Sequence, residues 1–335
     1  MLTTINPFIN KHFVLYQSGA ESLAIVRILY CVTLFQMGLP HFDAISGFEP
    51  MFYNPPPRLA FLPMFYDESW WNVINILSYF SLFMVLIGLF TPFFSSAFFL
   101  INLFGLAKFY SFGKIDHNFF VILTPLLLGF AGWGSTWSVD SLLFKKWKTK
   151  DWPVNYLAFC IGLSFVTAAV PKIAGGWLNP EILMSKGFIA KKLLHEGVDN
   201  ALALWLLENE CNFFFKFLDY STILIELLFI SLIFHRRFSS MILFLVCLFH
   251  LGVLLMMSIN FSSHMLAYLP FLLLKFERKY LGFSLNKYLI IVGISILVLN
   301  FFELSIFWIS AIAGFVSFKS VMNYSEKPET ITSPL

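Results

Sequence analysis

The sequence predicts an all-α integral membrane protein, a bundle of about 8–10 transmembrane helices with two long extracytoplasmic loops. Hydrophobic residues make up 59% of the 335-residue chain and charged residues only 12%, which is about half the charged fraction of a typical soluble domain. Several runs of about 18 or more residues carry almost no charge, and each can cross the roughly 30 Å hydrocarbon core of a bilayer. The first run lacks the cleavage site of a signal peptide, so we interpret it as a retained span.

Hydropathy predicts about ten spans. They lie at 22–39, 73–90, 93–112, 117–134, 154–171, 217–234, 239–257, 261–275, 288–302 and 304–319. The last two are separated only by Glu303, so a single bent hairpin is an alternative. The sequence contains no second hydrophilic block and no internal repeat. We therefore predict one membrane domain over residues 1–320, followed by a short cytoplasmic tail at 321–335.

The distribution of basic residues predicts a cytoplasmic N-terminus. With that orientation, 13 of the 22 Lys and Arg residues lie on the cytoplasmic side and 7 on the outer side, as the positive-inside rule requires. The loops at about 40–72 and 172–216 then both lie outside. Both are rich in Trp, Pro and Phe, and their apolar spacing is typical of short helices on a membrane surface. Loops of this length usually carry function or cover a cavity.

Ionisable side chains within or at the ends of the predicted spans are the candidates for function, because a charge in hydrocarbon is costly. They are Lys172, His117, Glu226, His250 and His264. Each also has a structural interpretation: an interfacial lysine, a hydrogen-bonded core histidine, or a protonated glutamic acid bonded to a neighbouring helix. For two further cations, Arg27 and Lys108, we favour snorkelling or a structural ion pair.

Several other chemistries are not supported by the sequence. The four cysteines lie far apart without a C-x-x-C pair, which argues against a disulfide framework or thiol-redox chemistry. No histidine box or H-E-x-x-H motif is present, so we expect no metal site. No P-loop motif supports ATP-driven transport, and no basic, aromatic-interleaved patch supports binding of nucleic acid.

Three stretches in order resemble a known family. They are "DHNFF" followed by "LLLGFAGWGSTWSVDSLL", then "AAVPKIAGGWL", then "LFHLGVLLMMSINFSSHMLAYLPFL". Each is similar to the membrane domain of vitamin K-dependent gamma-glutamyl carboxylase, and "SLAIVRILY" and "IGLFTPFF" extend the likeness more loosely over 20–110. The chain is identified on these residues as a member of the horizontally transferred transmembrane (HTTM) family, which includes sporulation-delaying protein B-like proteins.

The resemblance implies an enzyme that uses a membrane quinol, with Lys172 as the base and His117 as its supporting residue. It also implies that Glu226 and His250 match an acid and a histidine of the carboxylase. The cavity for substrate or cofactor would then be formed by Asp116, Asn118, Trp177, Glu226, His250 and His264. The expected partners are membrane lipids and a secreted peptide, and the expected location is the bacterial inner membrane, with multiple passes.

The residues around Lys172 support this role independently. An amine that loses hydration beside an apolar cavity favours its neutral form, which can act as a general base. Pro171 removes a backbone donor, and the glycine pair before Trp177 allows close backbone approach. The sequence lacks the large lumenal portion of the carboxylase, which argues against carboxylation of clotting-type glutamates. Two alternatives stay open: a non-catalytic accessory protein for peptide maturation or export, and a lipid or ion transporter with Glu226 and His250 as a proton relay.

Overall fold

The computed structural model describes residues 16–55, 67–111, 119–144, 148–198, 200–233 and 236–273, together with Gly314. Within these ranges all regular secondary structure is helical, which confirms the all-α prediction. The predicted span 288–302 lies outside the described residues, as does 304–319 apart from Gly314. The α-helices are α1 Ala20–Met37, α2 Glu68–Ile87, α3 Thr91–Phe109, α4 Phe119–Ala131, α5 Val139–Leu143, α6 Trp152–Ala174, α7 Met184–Leu194, α8 Ala201–Glu208, α9 Asn212–Leu228, α10 Arg236–Met257, α11 Ser262–Met265 and α12 Leu269–Leu273.

Four of these helices, α1, α2, α3 and α6, are long and apolar enough to cross a membrane. Two shorter apolar segments, α4 and Met241–Met257 within α10, are also present in the described part of the chain. These helices match the predicted spans to within a few residues at each end. The composition and the helix lengths together define a membrane protein with several apolar spanning helices.

Two predicted spans differ from the helices observed. The span at 217–234 corresponds to α9, which begins at Asn212 and ends at Leu228, before a 3₁₀ turn at Phe229–Leu232. Hydropathy misses the first turns of α9 because they carry polar residues that the fold buries or bonds. The span at 261–275 is divided into α11, a 3₁₀ turn at Leu266–Tyr268 and α12. Pro270 is the second residue of α12 and has no backbone N–H to donate to the preceding turn.

The structure consists of two compact units, and we describe each by itself. The N-terminal unit comprises Tyr16–Leu157 and residues 262–273, and the central unit comprises Ala158–Phe261. In the N-terminal unit α2, α3 and α4 pack in sequence, and α12 packs on α1. The packing of α2, α3 and α4 follows from their order in the chain, since consecutive helices are usually neighbours, whereas the contact of α12 with α1 is long-range.

A buried arginine connects α1 to the "WSVD" turn in the N-terminal unit. Arg27 is fully buried, and its guanidinium donates hydrogen bonds to the carbonyls of Trp133, at 2.8 Å, and Trp137. Asp140 in the same turn accepts hydrogen bonds from the backbone N–H of Thr91, at 2.8 Å, at the start of α3. An acid at a helix N-terminus satisfies its free N–H groups. Arg27 is therefore a structural residue whose charge is bonded inside the protein, and it does not snorkel.

The long segment 172–216 in the central unit forms a packed helical cap, which we define as residues 175–211. Asn200 caps α8 by accepting a hydrogen bond from the Ala203 N–H at 3.0 Å, and it donates to the Leu255 carbonyl at 2.9 Å. The cap thus contains short helices, as the apolar spacing predicts. Its apolar side chains share a small core with α9 and α10, formed by Ile189, Ala203, Leu206, Phe215 and Met256.

Candidate functional site

Lys172 and Glu226 form an ion pair inside the central unit. Lys172 lies in the last turn of α6, and its Nζ donates a hydrogen bond to Oε1 of Glu226 near the end of α9. The Glu226 side chain is 5% exposed and the Lys172 side chain 25% exposed. The lysine is therefore the member of the pair that solvent or a ligand can reach.

The second carboxyl oxygen of Glu226 is an unusual buried atom. Oε2 is shielded from solvent and has no hydrogen-bond partner among the residues that the structure describes. A buried polar atom without a partner costs free energy, so native proteins rarely keep one without a reason. The lone pairs of Oε2 are therefore not used by any hydrogen bond within the described residues.

The backbone after Lys172 turns so that Trp177 returns to the lysine. Helix α6 continues past Pro171 to Ala174, and the Gly175 N–H then bonds the Pro171 carbonyl at 2.8 Å. Gly176 has a φ of +86°, a conformation that favours glycine. The Trp177 N–H returns to the Lys172 carbonyl at 3.2 Å. As a result, the Lys172 Nζ lies 5.5 Å from the centre of the Trp177 ring, within the range of a cation–π contact.

One face of α9 brings two acids into the interior. The buried residues of this helix are Phe215, Asp219, Ile223 and Glu226, spaced by four, four and three. This spacing places them on a single face, and Asp219 and Glu226 lie two turns apart, about 10 Å along the axis.

Asp219 and Lys216 are two residues that the sequence analysis did not select. Asp219 is fully buried and accepts hydrogen bonds from the Ser185 N–H at 2.8 Å and the Met184 N–H at 3.1 Å. Lys216 donates to Asp219 at 3.2 Å and to the Trp177 carbonyl at 2.7 Å. The pair therefore fixes the start of α7 and the Trp177 loop to α9. The sequence feature that could have indicated them is the spacing of Lys216 and Asp219 in "FFKFLDY", an i, i+3 pair at the edge of the predicted span.

The histidines selected from the sequence lie in different places. The His250 ring on α10 lies 5.0 Å from the Phe261 ring and 6.2 Å from the Phe165 ring, in the central unit. His264 belongs to the N-terminal unit, with its ring 5.7 Å from that of Phe120. Both side chains are buried. His117, Asp116 and Asn118 lie outside the described residues, so their predicted role stays a prediction.

The Lys172–Glu226 pair can hold a proton in two arrangements. The ammonium–carboxylate form and the amine–carboxylic acid form carry the same net charge, and burial reduces the preference for the separated charges. One proton can thus move between Nζ and Oε1 without changing the charge of the site. Among the described residues, no group of three His, Cys, Asp or Glu side chains could hold a metal ion.

The helices and the buried polar residues define a polytopic α-helical membrane protein with an ion pair in its interior. The HTTM domain family model matches residues 17–277, which is well over half of the chain. The chain therefore belongs to the HTTM family, which confirms the resemblance found in the sequence. No curated protein matches the chain. No solved structure matches it either.

Proposed function

We propose that this chain is a membrane enzyme in which the Lys172–Glu226 pair is the proton-transfer centre for base-catalysed modification or oxidation of a peptide or small substrate. The observation that carries the proposal is the buried carboxyl of Glu226, which is bonded to Lys172 through one oxygen and has no described partner at the other. Most buried polar atoms in native proteins have a hydrogen-bond partner, so an unpartnered carboxyl oxygen beside an amine supports a role beyond that of a structural bridge.

The two members of the pair have different tasks in this proposal. Lys172, the more exposed member, accepts a proton at Nζ from an acidic hydroxyl of the bound substrate. A positioned base of this kind contributes a factor of about 10²–10⁴ to a rate. Glu226, the more buried member, first takes a proton from the Lys172 ammonium at Oε1 and becomes a carboxylic acid, which leaves the neutral amine free to accept the proton of the substrate hydroxyl.

The proposed co-substrate is a membrane quinol, and the residues near Lys172 fit such a molecule. The Trp177 ring lies 5.5 Å from the Lys172 Nζ and 5.8 Å from the Phe188 ring, centre to centre. Aromatic side chains of this kind favour a flat ring by offset stacking, and Lys172 would bond its hydroxyl. A bound quinol would supply an acidic hydroxyl and two electrons for reaction with oxygen.

The proposed setting is a bacterial inner membrane with a cytoplasmic N-terminus, which would place Lys172 and the cap on the outer side. A secreted peptide is the proposed partner on that side. The asymmetry of basic residues supports this orientation.

The test is oxygen-dependent oxidation of a quinol by the full chain in lipid nanodiscs. A benzoquinol and a naphthoquinol are supplied separately, and the formation of quinone is followed by absorbance. We expect Lys172→Met to lower the rate by about 10²–10⁴-fold, whereas Lys191→Met, a change at an exposed residue of α7, should leave it unchanged. A Lys172→Met protein that oxidises quinol at the full rate would refute the proposal. Absence of quinol oxidation by the native chain, with photo-crosslinking of a secreted peptide to the cap, would favour the accessory role instead.

A further inference from the structure

Lys216 lies at the junction between α9 and the loop that carries Trp177. Its Nζ donates to the carbonyls of Trp177, at 2.7 Å, and Ile182, at 2.8 Å, and to Oδ2 of Asp219 at 3.2 Å. An ammonium group has three N–H donors, so these three acceptors use all of them. The Lys216 side chain is 12% exposed and Asp219 is completely buried. The Lys216 ammonium is therefore held in one position, unlike that of a mobile surface lysine.

We infer that Lys216, held in place by Asp219, is a positioning residue for Lys172. The connection runs through Trp177. The Trp177 carbonyl is bound by Lys216, and its N–H bonds the Lys172 carbonyl at 3.2 Å. Both sides of this residue are therefore fixed, and its ring is held 5.5 Å from the Lys172 Nζ. The inference rests on the proposed function for its importance in catalysis, but its structural part can be measured separately.

Helix α9 holds both Lys172 and the loop that carries Trp177. Glu226 binds the Lys172 Nζ directly, and Lys216, ten residues earlier on the same helix, binds the loop that carries the Trp177 ring. A cation is also suited to this place, since two backbone carbonyl oxygens and a carboxylate surround it. Loss of Lys216 would release the Trp177 loop and leave Lys172 less shielded, while the direct bond to Glu226 would remain.

The experiment measures how fast Lys172 is acetylated in the purified full chain. The protein in detergent is treated with an N-hydroxysuccinimide ester of acetate across a range of pH, and peptide mass spectrometry gives the rate at each lysine. We expect Lys216→Met to raise the Lys172 acetylation rate by about three- to tenfold, the effect of losing the one hydrogen bond that holds the Trp177 carbonyl, and to displace the pH profile of that acetylation. Lys216→Arg should restore the native profile, and Lys191→Met on α7 should not change it.

The acetylation rate of a second lysine distinguishes a specific effect on Lys172 from a general loosening of the cap. Lys186 lies in the cap and bonds the Asn212 side chain at 2.9 Å, so its acetylation reports the stability of the cap. A rise at Lys172 alone supports the inference, whereas an equal rise at Lys186, or none at Lys172, overturns it. If Lys216→Met does not yield folded protein, Lys216→Gln, which keeps one donor group, is measured in its place. The proposed function fails on a different result, the quinol oxidation rate of Lys172→Met.

Discussion

The unequal burial of Lys172 and Glu226 predicts unequal costs for removing either one. Lys172→Met leaves a carboxyl group that is 5% exposed without its partner. Breaking a buried pair in this way costs about 3–5 kcal/mol, and partial access of water to this pair places the expected value near 3 kcal/mol. Glu226→Gln leaves an ammonium group on a side chain that is 25% exposed. That group regains hydration, so we expect a cost of about 1 kcal/mol.

The double variant Lys172→Met/Glu226→Gln tests whether the contact is the cause. It leaves no unpaired charge, so it should be about 2 kcal/mol more stable than Lys172→Met alone. At about 2 °C per kcal/mol in a chain of this size, the unfolding midpoint should fall by about 6 °C for Lys172→Met and about 2 °C for the other two variants. Tryptophan fluorescence during heating measures these shifts. All variants are heated at one scan rate and in one detergent, because the midpoint of an irreversible transition depends on the scan rate.

Additive losses in the double variant would refute this explanation, since residues that do not interact have independent effects. The pH dependence gives a second check. In Lys172→Met the deficit should be largest at high pH and should shrink as the pH falls, because protonation of Glu226 removes the unpaired charge. Lys191→Met, which alters an exposed side chain of α7, is the matched control and should change neither the midpoint nor its pH dependence.

Two further predictions concern the N-terminal unit. Asp140→Asn removes one of the two carboxylate oxygens that cap the start of α3 and should cost about 2 kcal/mol. The control Asp67→Asn, at an exposed cap of α2, should be nearly neutral. Thermal unfolding compares the two variants. Gly88→Ala should abolish folding or strongly lower the yield, because φ is +72° and a Cβ would lie 2.9 Å from an Arg27 nitrogen. Gly47→Ala has open space and should purify like the native chain, as size-exclusion chromatography will show.

Sequence reasoning selected both members of the Lys172–Glu226 pair as candidates but did not predict their contact. Lys172 and Glu226 were both selected because ionisable groups in apolar runs are costly. Their contact could not be predicted, since the two residues are 54 positions apart and hydropathy contains no information on which helices pack together. Arg27 illustrates the same limit. Its sequence position allowed either snorkelling or a structural bond, and only the fold shows the carbonyls of Trp133 and Trp137 at its guanidinium.

The predicted helix ends differ from the observed ones where polar side chains form hydrogen bonds inside the fold. The predicted span at 217–234 omits the beginning of α9 because Asn212 and Lys216 lower the local hydropathy. In the structure Lys216 has three oxygen acceptors, so its charge is compatible with a nearly buried position. A hydropathy scale assigns each residue the cost of an unpaired group, and it therefore misplaces spans wherever tertiary bonds remove that cost.

The two acids on the buried face of α9 differ in how fully their carboxyl oxygens are hydrogen-bonded within the described residues. Asp219 receives donors at both oxygens: two backbone N–H groups, the Ser185 hydroxyl and Lys216. Glu226 has one donor, at Oε1, and leaves Oε2 buried with no described partner. A saturated carboxylate has no capacity to exchange a proton or bind a ligand without breaking the fold. By this comparison Asp219 stabilises the cap, whereas Glu226 keeps one oxygen that has no described partner and lies beside the more accessible amine of Lys172.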